Sequence, residues 1–321
     1  MKIMEAVPNI SEGRRTDVIE SIAARVKNAS PARVLHVDSN ADANRTVFTL
    51  AGEPDDVRQS AFALIQAAAE LIDMRFHSGA HPRLGAVDVC PFVPVKNMTL
   101  AEAAQQARQL ARNTAEQLHL PVYLYEANAQ TPERKNLAFI RKGEYESLPQ
   151  KLKELPPDFG PQEFDRSVQK TGATVIGARN FLIAFNVSLN TQDVTAAKQI
   201  ASVLREKNGG LPALKAIGWY MADYQCAQVS FNLTDYKTTG LAQTFEACRK
   251  EAARLGITAT GSELIGLAPE DALLNAGRFY APGLEDKTAL LERAVRELNL
   301  NKIRPFNIQE RILGYKLISL F

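Results

Sequence analysis

The same order of strand-like and helix-like stretches occurs twice in this chain, and that repetition limits the fold more than any single motif does. Residues 3–7 are apolar and extended, and Pro8-Asn9 closes them. Residues 16–26 carry Val18, Ile19, Ile22, Ala23 and Val26, a helical stripe with Thr16 or Asp17 near its cap. Residues 33–37 and 45–51 read as strands on either side of the polar loop 38–44, which Asp38 opens. Residues 53–72 then form a long, alanine-rich amphipathic pattern. In the second half, 181–187 predict a strand, 191–206 a helix, 213–221 and 227–233 strands, and 240–255 a helix. Asn9-Ile10-Ser11 recurs as Asn186-Val187-Ser188, 177 residues later, at the same strand-to-helix junction. Each half adds one more strand and helix: 86–93 then 99–118, where Thr99 and Glu102 have capping-box spacing, and 263–267 then 270–276. The order β-α-β-β-α-β is the split-βαβ arrangement. The expected fold class is therefore α/β (α+β): two duplicated ferredoxin-like subdomains with stacked sheets and outer helices. The subdomains are expected at 1–178 and 179–321. The first includes a connector at about 148–172, rich in Pro and Lys, whose stretch 155–161 is too rich in proline for a helix and which is long enough to suggest a functional loop.

Composition excludes several classes. Of 321 residues, 45% are hydrophobic and 23% charged, enough for a substantial core. Lys plus Arg is 38 against 36 acids, a net charge of +2, so nothing electrostatic favours nucleic acid or an anionic membrane as partner. No apolar run approaches the ~18 residues of a spanning helix, and Glu5, Pro8 and Asn9 interrupt any leader-like core. Cys90, Cys226 and Cys248 have no paired metal spacing, which predicts reduced thiols and a cytoplasmic location. The chain has no GxSxG, no P-loop, no strand-borne GxGxxG and no CxxC.

The chemistry therefore falls to few residues. Of four histidines, His36 lies in an expected strand and His119 at a helix end. The other two stand in Phe76-His77-Ser78-Gly79-Ala80-His81-Pro82-Arg83-Leu84-Gly85. Their i,i+4 spacing suits a metal only on a helix, which Gly79, Pro82 and Gly85 oppose, so no metal is expected. His81 precedes a proline, which holds it extended, and a positioned imidazole is what a general base requires. Arg45 and Arg83 are candidates to pair with ligand carboxylates, with surface ion pairing as the competing reading. Arg14 and Arg15 stand at a helix entry, where an anion can bind. Cys90, on an apolar strand, reads as a buried, inert thiol.

Several segments together resemble a known family. Val7-Pro8-Asn9-Ile10-Ser11-Glu12-Gly13, Asn44-Arg45-Thr46-Val47, His77 through Phe92 (HSGAHPRLGAVDVCPF) and Pro121-Val122-Tyr123-Leu124-Tyr125 stand in order. Asp158-Phe159-Gly160-Pro161, Gly172-Ala173-Thr174-Val175-Ile176-Gly177-Ala178-Arg179 and Ala216-Ile217-Gly218-Trp219-Tyr220 follow. The chain resembles the glutamate formimidoyltransferases, the transferase part of formimidoyltransferase-cyclodeaminase, from about residue 3 to residue 315. The resemblance implies two α/β subdomains around a ligand tunnel and transfer of the formimino group of N-formimino-L-glutamate to N5 of tetrahydrofolate, a co-substrate, in histidine breakdown. Formyl transfer between folate and glutamate, or folate binding without turnover, are the alternatives. The family's catalytic histidine falls on His81 and a nearby aspartate on Asp38. Folate and glutamate contacts are carried onto Asn9, Arg45 and Arg83, and onto the segment containing Gly160, Pro161, Phe164, Lys170, Thr171 and Gly172. Within that segment Gln162 to Thr171 is longer and more charged than the family pattern. A homodimer, no metal and no cyclodeaminase domain complete the expectation.

Overall fold

In the computed structural model, which describes residues 1–317, the backbone clusters into two units, Met1–Asn180 and Phe181–Phe321. The first runs β1 (Ile3–Ala6), β2 (Asn9–Ile10), α1 (Thr16–Ala29), β3 (Arg33–Asn40), β4 (Arg45–Gly52), α2 (Pro54–Leu71), β5 (Val87–Lys96) and α3 (Leu100–Leu118). It then adds β6 (Val122–Glu126), α4 (Leu137–Arg141), α5 (Leu148–Glu154), α6 (Arg166–Thr171) and β7 (Thr174–Ala178). The strands form one sheet in which β3, β4, β1 with β2, β5, β7 and β6 are successive neighbours. β1 and β2 are one broken strand, because both pair antiparallel with β4 and β5. The first four strands therefore lie side by side in the antiparallel order of a ferredoxin-like unit, and β7 and β6 extend it in parallel. Sequence reasoning did not anticipate that extension. Residues 122–126 and 174–178 are short apolar runs, and periodicity cannot distinguish such a strand from buried helix.

Local chemistry explains the elements. Pro54 at the first turn of α2, with Asp55 and Asp56 beside it, suits a helix start. Thr99 and Glu102 form the expected capping box on α3. The start of α1 differs from expectation: its N-cap is Arg15, and the Glu12 carboxylate accepts from the backbone N–H groups of Arg14 and Arg15, each at 2.9 Å. The protein's own acid thus fills the anion position expected there. α1, α2 and α3 cover one face of the sheet around Phe48, Leu64, Phe92 and Leu110. The crossover from β6 to β7 covers part of the other, with Tyr123, Ile140, Leu148 and Val175 packed together.

That crossover contains the connector. Residues 148–172 lie inside the first unit and hold two short helices, α5 and α6, on either side of the non-helical, proline-rich stretch 155–161. Pro149 sits in the first turn of α5, where its missing N–H costs nothing. The segment ends in a tight backbone clamp: Gly85 bridges Gly172, Ala86 N–H donates to Thr171 O at 2.7 Å, and Ala173 N–H donates to Leu84 O at 3.1 Å.

The second unit repeats the plan with β8 (Ile183–Leu189), α7 (Val194–Leu204), β9 (Leu214–Met221), β10 (Cys226–Leu233), α8 (Leu241–Arg254) and β11 (Ala259–Ile265). Its sheet order is β11-β8-β10-β9, the same fourth-first-third-second order as the first unit's core. α9 (Glu270–Tyr280) and α10 (Lys287–Glu297) follow; α10 was not expected. No helix among the described residues is long and apolar enough to cross a membrane.

The Gly85–Gly172 clamp fixes the loop before β5 and is directly testable. Gly172 has φ +67, and a Cβ there would lie 2.4 Å from Leu84 O and 2.5 Å from Gly85 Cα. Gly172→Ala is expected to lower folding stability by about 1–3 kcal/mol. Thermal or urea unfolding checks this, and an unchanged midpoint contradicts the clamp.

Candidate functional site

The site is built around the loop between α2 and β5. Asn44, in the turn between β3 and β4, ties this loop down. Its side-chain oxygen accepts from Gly13 N–H at 3.0 Å, its amide donates to Ser78 O at 2.8 Å, and its carbonyl lies 2.9 Å from His77 Nε2. Ala80 N–H donates to Asp42 O at 3.0 Å. Gly79 has no room for a side chain, since a Cβ would lie 2.4 Å from Ala43 O. The loop therefore delivers His81 to a fixed place beside the start of β4.

There His81 Nδ1 lies 2.7 Å from Pro82 O and 3.1 Å from Arg45 Nη1. A carbonyl only accepts, so the shorter contact sets the tautomer: Nδ1–H donates to Pro82 O, and the ring's lone pair is on Nε2. Arg45 is held from both sides, its Nε donating to Asn9 Oδ1 at 2.9 Å and its Nη1 to Asp88 Oδ2 at 2.6 Å. Asp88, completely buried on β5, also accepts from Arg141 Nη2 at 2.6 Å and Nε at 3.1 Å, and from Leu84 N–H at 3.0 Å. Two arginines thus share one buried carboxylate next to the imidazole.

The electrostatics follow. Burial lowers the His81 pKa well below its ordinary value, and the positive charges of Arg45 and Arg141 lower it further, against the opposing charge of Asp88. Asp88 stays below the usual carboxylate range despite its burial, because both arginines favour its charged form. Burial pushes Arg45 down to about 10, which leaves it cationic at neutral pH. The imidazole here is therefore more strongly neutral than an ordinary histidine.

The structure brings together some of the expected residues and not others. His81, Arg45 and Asn9 meet directly. Asp38 lies inside β3, which runs on to Asn40, and so does not open the loop as expected. It is buried, opposite Val47 in register, with its carboxylate 3.9 Å from His36 Nε2. Val47 in turn faces Asn9, so Asp38 and Asn9 stand on the same face of the sheet, with Arg45 two residues from Val47. Arg83 meets the protein's own groups: Glu144 at 2.9 Å, Glu146 at 2.5 Å, His77 Nδ1 at 3.2 Å and His77 O at 3.2 Å. That use leaves Arg83 as a strut between the histidine loop and the crossover.

In the 160–172 segment, Lys170 Nζ donates to Glu70 O at 2.7 Å. Phe164 packs 6.1 Å from the Tyr145 ring. Thr171 is buried, its hydroxyl donating to Ser167 O at 3.0 Å. Gly160 has φ +89 and backs onto Leu120 O, with Pro161 following. Thr171 and Gly172 touch the histidine loop, through the clamp on Ala86 and Gly85. Arg14 Nε donates to Ala41 O at 2.9 Å and Arg15 pairs with Glu12 at 2.5 Å. His119 pairs with Asp165 at 3.0 Å. Cys90 is buried and its thiol pKa is pushed far up, which makes it inert. Among the described residues no three His, Cys, Asp or Glu side chains converge as a metal centre requires.

Sequence reasoning missed Asp88 and Arg141. Asp88 carried a usable signal, since a carboxylate inside Ala86-Val87-Asp88-Val89-Cys90 is buried and must find cations. It also missed a buried polar group in the second unit. There Glu263 accepts from Asn186 at 3.3 Å, Gln228 at 3.3 Å and Tyr224 at 3.2 Å, and pairs with Arg304 at 3.0 Å.

Two outcomes follow from the charges at His81. Asp88→Ala, which leaves two buried guanidinium groups without their anion, is expected to cost about 3–5 kcal/mol of folding stability, read from urea unfolding. The depressed His81 pKa means that the folded protein binds fewer protons at this ring than the unfolded chain. The resulting stability is present above about pH 6.5 and lost as pH falls below it toward the folded pKa. An NMR titration of the ring, assigned with His81→Gln, should show no transition near pH 6.5; an ordinary midpoint there would contradict the geometry.

Known proteins compare with this chain as follows. Residues 3–179 match the formiminotransferase domain, N-terminal subdomain, and residues 184–318 match the formiminotransferase domain. Formimidoyltransferase-cyclodeaminase of Mus musculus is 43% identical over 98% of this chain and 60% of its own length. The chain thus spans about 60% of that relative. Glutamate formimidoyltransferase of Streptococcus pyogenes serotype M1 is 43% identical over 87% of this chain and 93% of its own. Its counterpart in Thermoplasma acidophilum is 42% identical over 87% and 92%.

Proposed function

Because the chain belongs to the formiminotransferase family, we propose that it transfers the formimino group of N-formimino-L-glutamate to N5 of tetrahydrofolate, giving 5-formiminotetrahydrofolate and L-glutamate in histidine degradation. Two relatives bearing the name glutamate formimidoyltransferase, similar over more than nine-tenths of their own length, support this reading. So does one observation above the rest: a buried imidazole whose Nδ1 lies 2.7 Å from Pro82 O, a contact that orients the ring and assigns the basic lone pair to Nε2.

The residues suit the reaction. A formimino group is an amidine and largely cationic near neutral pH, so the electrophile needs little oxyanion stabilisation and gains from a nearby carboxylate. In this reading Asp38, on the sheet face that carries Asn9, supplies it. His81 Nε2 accepts the proton from folate N5 as that nitrogen bonds to the formimino carbon. His81 then returns the proton to the glutamate nitrogen as the old C–N bond breaks. One ring serves as base and acid, and no proton is left over. The 160–172 segment is the reading's folate contact, and its clamp on Gly85 couples it to the histidine loop. Three free cysteines agree with a reducing, cytoplasmic setting, and a homodimer belongs to the same reading.

The test is a spectroscopic assay with formiminoglutamate and tetrahydrofolate, run on wild type and His81→Ala together. His81→Ala is expected to lower kcat by about 10²–10⁴-fold, with residual turnover from bringing two substrates together. Near-normal turnover in the variant rejects His81 as the base. N-formylglutamate, offered as the donor in parallel, should be the poorer substrate; a preference for it replaces formimino with formyl transfer.

A further inference from the structure

We propose that Arg45 and Arg141 form a carboxylate-binding fork, and that the carboxylate it takes is the α-carboxylate of the formimino donor, on the same carbon as the nitrogen that leaves. The inference rests on the activity proposed above and names the donor group this site recognises.

Asp88 alone does not neutralise the arginine pair. Arg45 and Arg141 bring two positive charges, Asp88 returns one negative charge, and His81 is neutral. Both arginines place a nitrogen 2.6 Å from the same Asp88 oxygen, so their guanidinium groups are neighbours. Their side chains are only 12% and 14% exposed, where an excess charge is costly and an anion is welcome. The hydrogen bonds leave capacity for one. Arg45 spends Nε on Asn9 and Nη1 on Asp88, and Arg141 spends Nε and Nη2 on Asp88. That leaves Arg45 Nη2 and Arg141 Nη1 outside these bonds. By contrast, Arg83 is consumed by Glu144, Glu146 and His77.

Chemistry selects the α-carboxylate. Arg45 Nη1 lies 3.1 Å from His81 Nδ1, so an anion held on this guanidinium sits close to the imidazole. In formiminoglutamate the α-carboxylate and the leaving nitrogen share one carbon, and binding the former brings the latter to the ring. The γ-carboxylate is separated from that nitrogen by three further carbons. Arg45, Arg141 and Asp88 are among the charged groups acting on His81.

The test compares N-formimino-L-glutamate with N-formimino-4-aminobutyrate, which keeps the distal carboxylate and lacks the α one, in wild type, Arg141→Met and Arg141→Lys. Wild type should favour the glutamate donor by about 100-fold or more in kcat/KM. Arg141→Met should lose about 100-fold on that donor while its preference falls below about tenfold, and Arg141→Lys should recover part of it. Equal use of both donors by wild type, or full preference retained in Arg141→Met, overturns the proposal; a merely structural arginine would lower both donors together. If Arg141→Met does not fold, the wild-type preference and Arg141→Lys decide. If wild type transfers nothing from formiminoglutamate, the proposed activity fails, and calorimetry with L-glutamate against 4-aminobutyrate judges the fork alone. Selective glutamate binding that weakens in Arg141→Lys keeps it, and equal binding removes it.

Discussion

A single buried carboxylate organises the first unit's site. Asp88 has no exposed surface and sits on an apolar strand, where an unpaired charge would be prohibitive. It is tolerated because three separate parts of the chain converge on it: Arg45 from β4, Arg141 from α4 and the Leu84 amide from the histidine loop. Removing any of these leaves the others costly, so the ion cluster fixes geometry more than it adds stability. The place of His81 depends on this cluster. Leu84 anchors the loop that carries the ring, and Arg45 stands against its Nδ1.

How much of this was legible in the sequence depends on the range of each contact. The alternation and capping residues of β1 through α3 are local signals, and they placed the elements to within a few residues. The repeated element order foretold the two ferredoxin-like units, whose strand orders agree. His81 was legible because Pro82 restricts it and Gly79 and Gly85 forbid a helix around it. Arg141 was not, because its role arises only when the crossover folds back across 53 positions of chain onto Asp88. Arg83 shows the converse: its place beside His81 suggested a ligand, while two glutamates some sixty residues on claim it. Asp38 was read as a loop residue because Asp-Ser-Asn resembles a turn, yet pairing with β4 carries the strand through it.

The duplication also shows how one scaffold position acquires different chemistry. Asn9 and Asn186 both lie on the first strand of their units, bonded on either side to the third and fourth strands. In the first unit Asn9 accepts from a cation, Arg45. In the second Asn186 donates to an anion, Glu263. An amide side chain serves either sign because it carries both a donor and an acceptor. The recurring asparagine thus kept its place while the charge it orients was inverted.

That versatility bears on why the histidine of the first unit stands beside two guanidinium groups. A base beside two cations is weak, yet a ring held neutral by burial first and by the cations second has no proton to lose before reaction. In the function proposed above, the guanidinium groups that lower its pKa are also the ones that hold the donor. The same arginines then set the charge state of the ring and the place of the substrate beside it, and a donor lacking the right carboxylate meets a weaker hold.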